Sequence, residues 1–440
     1  MQKALNEGDI NLFRQYFLDG HPYDQASFFK EQQEENRMKI YTFLSPEETA
    51  DLMEHIELND TEEYFSEMDP RFASSVLAEM ATDDAVDILN EMEKEKVASF
   101  LTIMDKEATE EIKQLLHYEE KTAGSIMTTE FVALHKTSTV AETMKQLKEE
   151  GPDAETIYYL YVVDADKRLA GVLSLRDLII ADEDTLIMDL MNEKVVYVTV
   201  GMDQEEVAQM MRDYDFLAVP VIDFQKHLLG IITVDDILDV IDEEASDDYS
   251  KFAAITDVDS TAEENPLKAA KKRLPWLIIL LFLGMFTASL ISLFEDTIAQ
   301  VALLAAFIPV IAGTAGNSGT QALAVAVRGL ATSDYGAGGK IKLMFKEIGT
   351  GMITGAVCGI VVTFVIFLWK GELFLGLLVG LTLLITITIA TLSGSVIPIV
   401  MDRMHIDPAV ASGPFITTIN DVISTMIYFG LATFFMQLLL

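Results

Sequence analysis

The chain changes character once, and abruptly. Up to Arg273 it is polar and acidic. From Pro275 onward it consists of apolar stretches near 275–294, 298–327, 343–369, 373–400 and 409–438, each long enough to cross a hydrocarbon core of about 30 Å. Such a polypeptide cannot fold as one globule in one solvent. Inside a bilayer every backbone N–H and C=O must find its partner within the protein, which selects helices for these stretches. The predicted architecture is therefore multidomain, ending in an all-α transmembrane pore domain with five helices per chain at 274–440.

Charge divides at the same place. Only Glu295, Asp296, Asp334, Glu347, Glu372, Asp402, Asp407 and Asp421 of the 70 acidic residues lie beyond Arg273, so the first 273 residues hold 62 acids against 25 bases. A surface this negative disfavours nucleic acid as a partner and favours cations. Cys358 is the single cysteine and sits in an apolar stretch, so it reads as packing. The N-terminus, Met1-Gln-Lys-Ala-Leu-Asn-Glu, lacks the basic and apolar parts of a cleavable signal. Lys271, Lys272 and Arg273 precede the first span, and Arg328, Lys340, Lys342 and Lys346 separate the second from the third. The positive-inside rule then predicts a cytoplasmic N-terminus and an extracellular C-terminus.

Residues 1–120 carry a twelve-residue repeat: Met68, Met80, Met92 and Met104 keep step, as do Val76, Ile88, Phe100 and Ile112. This predicts short stacked helices, an all-α superhelical N domain. Ser45-Pro46, Asp69-Pro70 and Thr82-Asp83-Asp84 supply helix starts. The methionine stripe reads as core.

A second repeat covers 121–187 and 188–245. Ile126-Met127 matches Leu190-Met191, Val163-Asp164 matches Ile222-Asp223, and Gly171-Val-Leu-Ser174-Leu-Arg-Asp177 matches Gly230-Ile-Ile-Thr233-Val-Asp-Asp236. Each copy reads as helix, β-branched strand, turn, strand and helix. The pattern resembles a tandem pair of cystathionine-beta-synthase (CBS) domains, α/β modules whose Gly-x-x-Ser/Thr-x-x-Asp signature commonly holds an adenine nucleotide such as ATP. That resemblance makes Thr233 and Asp236 nucleotide-binding candidates. Capping of the following helix accounts for the same two residues, so both readings stand open. Beyond them Asp235, Asp239 and Asp242 share a helix face, and 246–273 reads as a connecting helix.

Chemistry in the membrane part points to two segments. The second span contains Gly313, Gly316, Asn317 and Gln321 in a glycine-rich polar run, expected to interrupt the helix and line a wet cavity. The fifth supplies Ser412, Gly413, Pro414 and Thr417, then Asp421, the only acid in its last apolar span. A carboxylate at that depth is costly unless it meets water or a cation. Magnesium keeps several of its waters and needs only a carboxylate or two beside them. No Cys/His cluster points to zinc or copper. One Asp per chain suffices if a homodimer pairs two copies of Asp421 on an axis.

These features together resemble the MgtE family of bacterial magnesium channels or transporters, through the hinge Glu119-Glu-Lys-Thr-Ala-Gly-Ser-Ile-Met127, the CBS pair, the glycine-rich second span and Ala-Ser-Gly-Pro-Phe-x-Thr-Thr-x-x-Asp421. The resemblance implies a homodimer with ten spans in the bacterial plasma membrane. It also implies that Asp421 is the pore ligand, that the connecting helix is a plug, and that cytosolic Mg2+ closes the pore by binding between the N domain, CBS domains and plug. By motif those regulatory ligands fall on Asp83, Asp87, Asp235, Asp239, Asp247 and Asp248. A solvated acidic face is the plain alternative for the same residues. The expected function is Mg2+ uptake; the alternatives are transport of Co2+ or Mn2+, or a CBS-based membrane sensor without transport. No His-Glu-x-x-His or Gly-x-Ser-x-Gly motif suggests an enzyme.

Overall fold

Helix starts at Pro70, Thr82, Lys94 and Lys106 carry the twelve-residue period directly into the structure, a computed structural model that describes residues 1–56, 58–255, 266–331 and 339–436. The described residues form two units, 1–241 and 242–440.

The first unit begins with α1 (Gln2–Glu7), α2 (Ile10–Phe17), α3 (Pro22–Lys30), α4 (Glu34–Phe43), α5 (Pro46–Met53), α6 (Leu58–Glu67), α7 (Pro70–Glu79), α8 (Thr82–Asn90), α9 (Lys94–Ile103) and α10 (Lys106–Leu115). From α5 on, each packs against the helix two further along, α5 on α7, α7 on α9, α6 on α8 and α8 on α10, the stacking of a superhelix. Met68, Met80, Met92 and Met104 each lie in the junction before a helix and are buried, as a core role requires. Ser45 begins α5 with a reciprocal capping box to Glu48, and Asp69 accepts from the Arg71 amide ahead of α7. At α8 the expected cap differs: Ala81 holds the N-cap position, and Thr82 and Asp83 are already helical and buried. The Ala81 N–H is instead taken by Glu54 Oε1 at 3.2 Å, a carboxylate from the residue that ends α5.

The CBS pair has two three-stranded sheets, β1 (Ala133–His135), β2 (Tyr159–Val163) and β3 (Leu169–Ser174), then β4 (Val198–Thr199), β5 (Ala218–Ile222) and β6 (Leu228–Thr233). In each, the first pair is parallel and the second antiparallel, with matching register at Val162–Gly171 and Val221–Gly230. Helices α11 (Val140–Glu150), α12 (Leu175–Ile180), α13 (Ile187–Leu190), α14 (Gln204–Tyr214) and α15 (Val234–Phe252) complete the modules. The matched methionines and glycines interlock across the repeat. A β-carbon on Gly171 would meet Met191 Sδ at 2.6 Å, and one on Gly230 would meet Met127 Sδ at 3.0 Å. Each module thus lays its opening segment on the other module's last strand, with glycine leaving room for the sulfur.

The second unit holds α16 (Pro266–Ser292), α17 (Glu295–Gln300), α18 (Ile308–Ala331), α19 (Gly339–Lys370), α20 (Leu373–Arg403) and α21 (Gly413–Phe434). Among the described residues five helical segments are long and apolar enough to cross a membrane. The shortest has 22 residues, about 33 Å at 1.5 Å per residue, which still covers the core. The bundle is built on α20, which packs along α19, α18 and α21.

Two expectations about this region change. The separate connecting helix expected at 246–273 does not begin at 246, because α15 runs unbroken from Val234 to Phe252; 256–265 lie outside the described residues, and Pro266 already begins α16. Pro275 is carried inside α16, near its polar end. The glycine-rich run is not an interruption either, for α18 is helical from Ile308 through Gln321 to Ala331. Its two threonine hydroxyls are satisfied by the helix's own carbonyls, Thr314 donating to Val310 at 2.6 Å and Thr320 to Gly316 at 2.9 Å. The irregular backbone lies at the edges instead, as 3-10 turns at Ala302–Phe307 and Pro408–Val410.

Candidate cation pathway and acidic cluster

Helix α21 presents two stripes one residue apart. Ile416, Asn420, Ser424 and Tyr428 recur every four residues and are all buried. Gly413, Thr417 and Asp421 follow the same spacing beside them and face α18. Thr320 and Thr417 hydroxyls are 3.2 Å apart, and Thr417 itself donates to the Gly413 carbonyl at 3.0 Å. A β-carbon on Gly316 would lie 3.7 Å from Asp421 Oδ1. Asp421 is half-buried, and among the described residues no side chain donates to its carboxylate. A carboxylate at membrane depth with open lone pairs, flanked by hydroxyls, is the donor set a partly hydrated hard cation uses.

Of the eight expected lining residues, Gly316, Gly413 and Thr417 are brought together with Asp421. Pro414 is half-buried at the start of α21, and Ser412 is fully buried with its Oγ lacking a partner. Gly313, Asn317 and Gln321 fall on another stripe of α18, exposed in the single chain. Thr320 was not singled out from the sequence, although its spacing from Gly316 signals the same face. Glu347, inside the third expected span, is buried within α19 and only 6% exposed.

The soluble acids concentrate around the start of α8. Asp83 is 7% exposed, and among the described residues its Oδ1 has no hydrogen-bond partner. Burial first, then the charges of Asp236 and Asp84, push its carboxyl well above the ordinary range. Asp84 is pushed up to about 8 by burial and by Glu54, and Asp236 up to about 6 by burial and by Asp235 against the opposing hydrogen bond from Thr233. Glu54, Glu130 and Glu155 are raised as well, burial being the largest cause. Asp83 and Asp87 are therefore joined by Asp84, Glu54, Glu130, Glu155 and Asp236, none of which the sequence pattern alone had marked as regulatory. Asp235 and Asp239 lie exposed on α15 beside them. Among the described residues no three such side chains already form a cage for a metal ion.

Thr233 and Asp236 are tied to each other, Thr233 Oγ1 donating to Asp236 Oδ2 at 2.5 Å, and Thr233 is buried. The matching pair of the first module, Ser174 and Asp177, makes the same bond at 2.6 Å with the carboxylate exposed. Asp247 and Asp248 sit on the last turns of α15. There Lys251 Nζ reaches Asp247 Oδ2 at 3.4 Å and Asp407 Oδ2 at 2.7 Å, and Asp248 is pushed up to about 6 by burial and Asp407.

Family profiles match along the chain in the same order: the MgtE intracellular N domain at 20–121, CBS domains at 123–184 and 187–243, and the MgtE divalent cation transporter profile at 308–431. The magnesium transporter MgtE of Enterococcus faecalis is 54% identical over 437 residues, covering 99% of this chain and 96% of that one. This chain belongs to the MgtE family of magnesium transporters. Its counterpart from Bacillus subtilis is 40% identical, covering 98% and 96%. Among solved structures, the soluble part of a magnesium transporter is 52% identical with a TM-score of 0.54, covering 56% of this chain and 96% of that one. The cytosolic domain of the Mg2+ channel MgtE in complex with ATP is 41% identical with a TM-score of 0.52, covering 54% and 98%. Membership in the family and the five long apolar helices make this a multi-pass membrane protein.

Proposed function

We propose that Mg2+ crosses the membrane along the α18–α21 crossing, with Asp421 as its ligand and Gly316, Thr320, Gly413 and Thr417 as the small polar wall beside it. The observation that carries this is the Asp421 carboxylate itself, at membrane depth, unpaired among the described residues and backed by a glycine. A homodimer completes the path. It brings two Asp421 side chains to one axis and covers Gly313, Asn317 and Gln321, which would otherwise leave polar groups toward lipid. The soluble part faces the cytoplasm, and the protein sits in the bacterial plasma membrane.

Regulation in this reading belongs to the acids. Asp83, Asp87, Asp235 and Asp239, with Asp84, Glu54 and Asp236, form facing carboxylates that repel until divalent cations bridge them. Asp247 and Asp248, beside Lys251 and Asp407 on the last turns of α15, add carboxylates to the same switch, so rising cytosolic Mg2+ shuts the pore. Moving such a switch from 1:99 to 99:1 takes about 5.5 kcal/mol, and one site at tenfold over its dissociation constant gives about 1.4 kcal/mol. About four sites are needed, and the clusters hold enough carboxylates to make them.

The test is Mg2+ uptake into proteoliposomes by purified Asp421→Asn and Asp421→Ala. Both are expected to abolish uptake while the protein remains folded by size-exclusion chromatography. Wild-type uptake by both would remove Asp421 from the pathway.

A further inference from the structure

Helices α18, α20 and α21 meet at a polar junction that neither the motifs nor the pathway accounts for. Asn420, 1% exposed, sits between Gly319 of α18 and Ser393 of α20. Ser393 Oγ is 2.8 Å from Asn420 Oδ1 and 2.9 Å from the Ala390 carbonyl, and it has one proton to give. If that proton goes to Asn420, the amide Nδ2 is buried without an acceptor, a costly arrangement. Turned over, the amide donates to Ser393 Oγ, Ser393 donates to Ala390, and the amide oxygen rests on the Gly319 backbone, where a Cα–H is the partner. The nitrogen then has an acceptor for one of its two hydrogens. The fit depends on glycine, because a β-carbon at Gly319 would overlap Asn420 Nδ2 and one at Gly394 would overlap the Gly319 carbonyl oxygen.

Asn420 directly precedes Asp421 and lies on the buried stripe of α21. In lipid, apolar side chains hold a helix against its neighbours without fixing its rotation well, since lipid tails are equally apolar. A buried polar pair does fix it, as single polar residues fix register in coiled coils. We infer that Ser393 and Asn420 are positioning residues for transport: their hydrogen bond sets the rotation of α21, so that Asp421 points at the Gly316 stripe. The inference rests on the reading of Asp421 as the pathway ligand.

The experiment measures Mg2+ flux into proteoliposomes against Mg2+ concentration for Ser393→Ala, Ser393→Thr, Asn420→Leu and the Ser393→Ala/Asn420→Leu double variant, with Asp421→Asn as control. Ser393→Ala removes one atom and leaves the fold. It is expected to raise the concentration at half-maximal flux about tenfold, equivalent to about 1.4 kcal/mol, with maximal flux within about twofold of wild type. Ser393→Thr, which keeps the hydroxyl, is expected to restore the wild-type value. The double variant should be no worse than the worse single one, because both break the same bond. Unchanged half-maximal concentration in Ser393→Ala overturns the inference, as does a loss confined to maximal flux that tracks the amount of folded protein. If Asp421→Asn transports normally, the pathway reading fails instead. If Asp421→Asn is inactive while Ser393→Ala behaves as wild type, only the positioning role fails.

Discussion

Gly316 and Asp421 stand against each other across the α18–α21 crossing. A β-carbon on Gly316 would come within 3.7 Å of Asp421 Oδ1 and within 2.8 Å of Thr417 Cγ2. The first distance is ordinary contact and the second is not, so the threonine, one turn before the carboxylate, limits how closely the helices approach. Gly316→Ala is expected to push α18 away from α21. Overpacking of this kind costs about 1–3 kcal/mol, which predicts Mg2+ flux reduced about fivefold or more. Gly430→Ala, on the same α21 but with nothing within 4 Å, should transport as wild type. Equal effects of the two substitutions in a proteoliposome assay would show that the crossing does not depend on close approach.

The acids around α8 predict a pH dependence with a definite sign. Burial and neighbouring carboxylates raise Asp84 to about 8 and Asp236 to about 6 from an ordinary value of 3.8, and raise Asp83 well above it. These groups hold their protons more tightly folded than unfolded. Their protonation therefore adds stability that is complete below about pH 4 and is lost as pH rises through about 6 and then about 8. With chelator present, the melting temperature of the soluble part should fall between pH 5 and pH 8.5. Mg2+ should flatten that fall by taking the protons' place between the carboxylates. A flat profile in chelator would mean that the acids do not stand together in solution.

The repeats made most of this architecture legible. Period twelve signalled stacked short helices, because each turn of the superhelix needs one buried methionine before it, and the matched Gly171 and Gly230 marked where the modules interlock. Asp421 was legible because an acid inside an apolar stretch has few innocent explanations. The continuity of α18 was not, since glycine and polar residues signal a break by composition while the threonine hydroxyls bond back to helical carbonyls and small size admits a neighbour. Glu54, Glu130 and Glu155 were hidden for another reason: they come from separate segments, and sequence periodicity carries no information about which of those segments meet a helix. Asn420 and Ser393 are far apart in the chain, and each alone looks like an ordinary helix residue.

Lys251 ties the last turn of α15 to the turn before α21 through Asp407, whose other oxygen accepts from the Ala409 N–H at 2.8 Å and holds the Pro408–Val410 turn. The side chains of Lys251 and Asp407 are 33% and 39% exposed, so their pairing belongs with partly solvated ion pairs worth about 0.2–1 kcal/mol. If this tie favours the closed pore, Asp407→Asn, which can keep the turn but loses the charge, is expected to raise the internal Mg2+ needed for half-inhibition by no more than about fivefold. Lys251→Met should shift it equally, and the double variant should add nothing. The shift should shrink at high salt, because exposed charges are screened. Patch-clamp recording with stepped internal Mg2+ measures it directly, and opposite shifts from the two single substitutions would refute the tie.

The two copies of the CBS signature predict different fates for a nucleotide. Thr233 is buried and bonded to an Asp236 that already stands among the repelling acids of α8, so an added phosphate there would meet like charge. Ser174 and Asp177 keep the same geometry at an exposed position, with Arg176 exposed beside them to offset phosphate charge. ATP is therefore expected at the first copy. Asp177→Ala should weaken ATP binding to the purified protein at least about tenfold in calorimetry. Asp236→Ala should leave ATP affinity within about twofold and instead change the Mg2+ response. The reverse pattern would return the nucleotide to Thr233 and Asp236, and would require that metal bound among the acids neutralise them before the phosphate arrives.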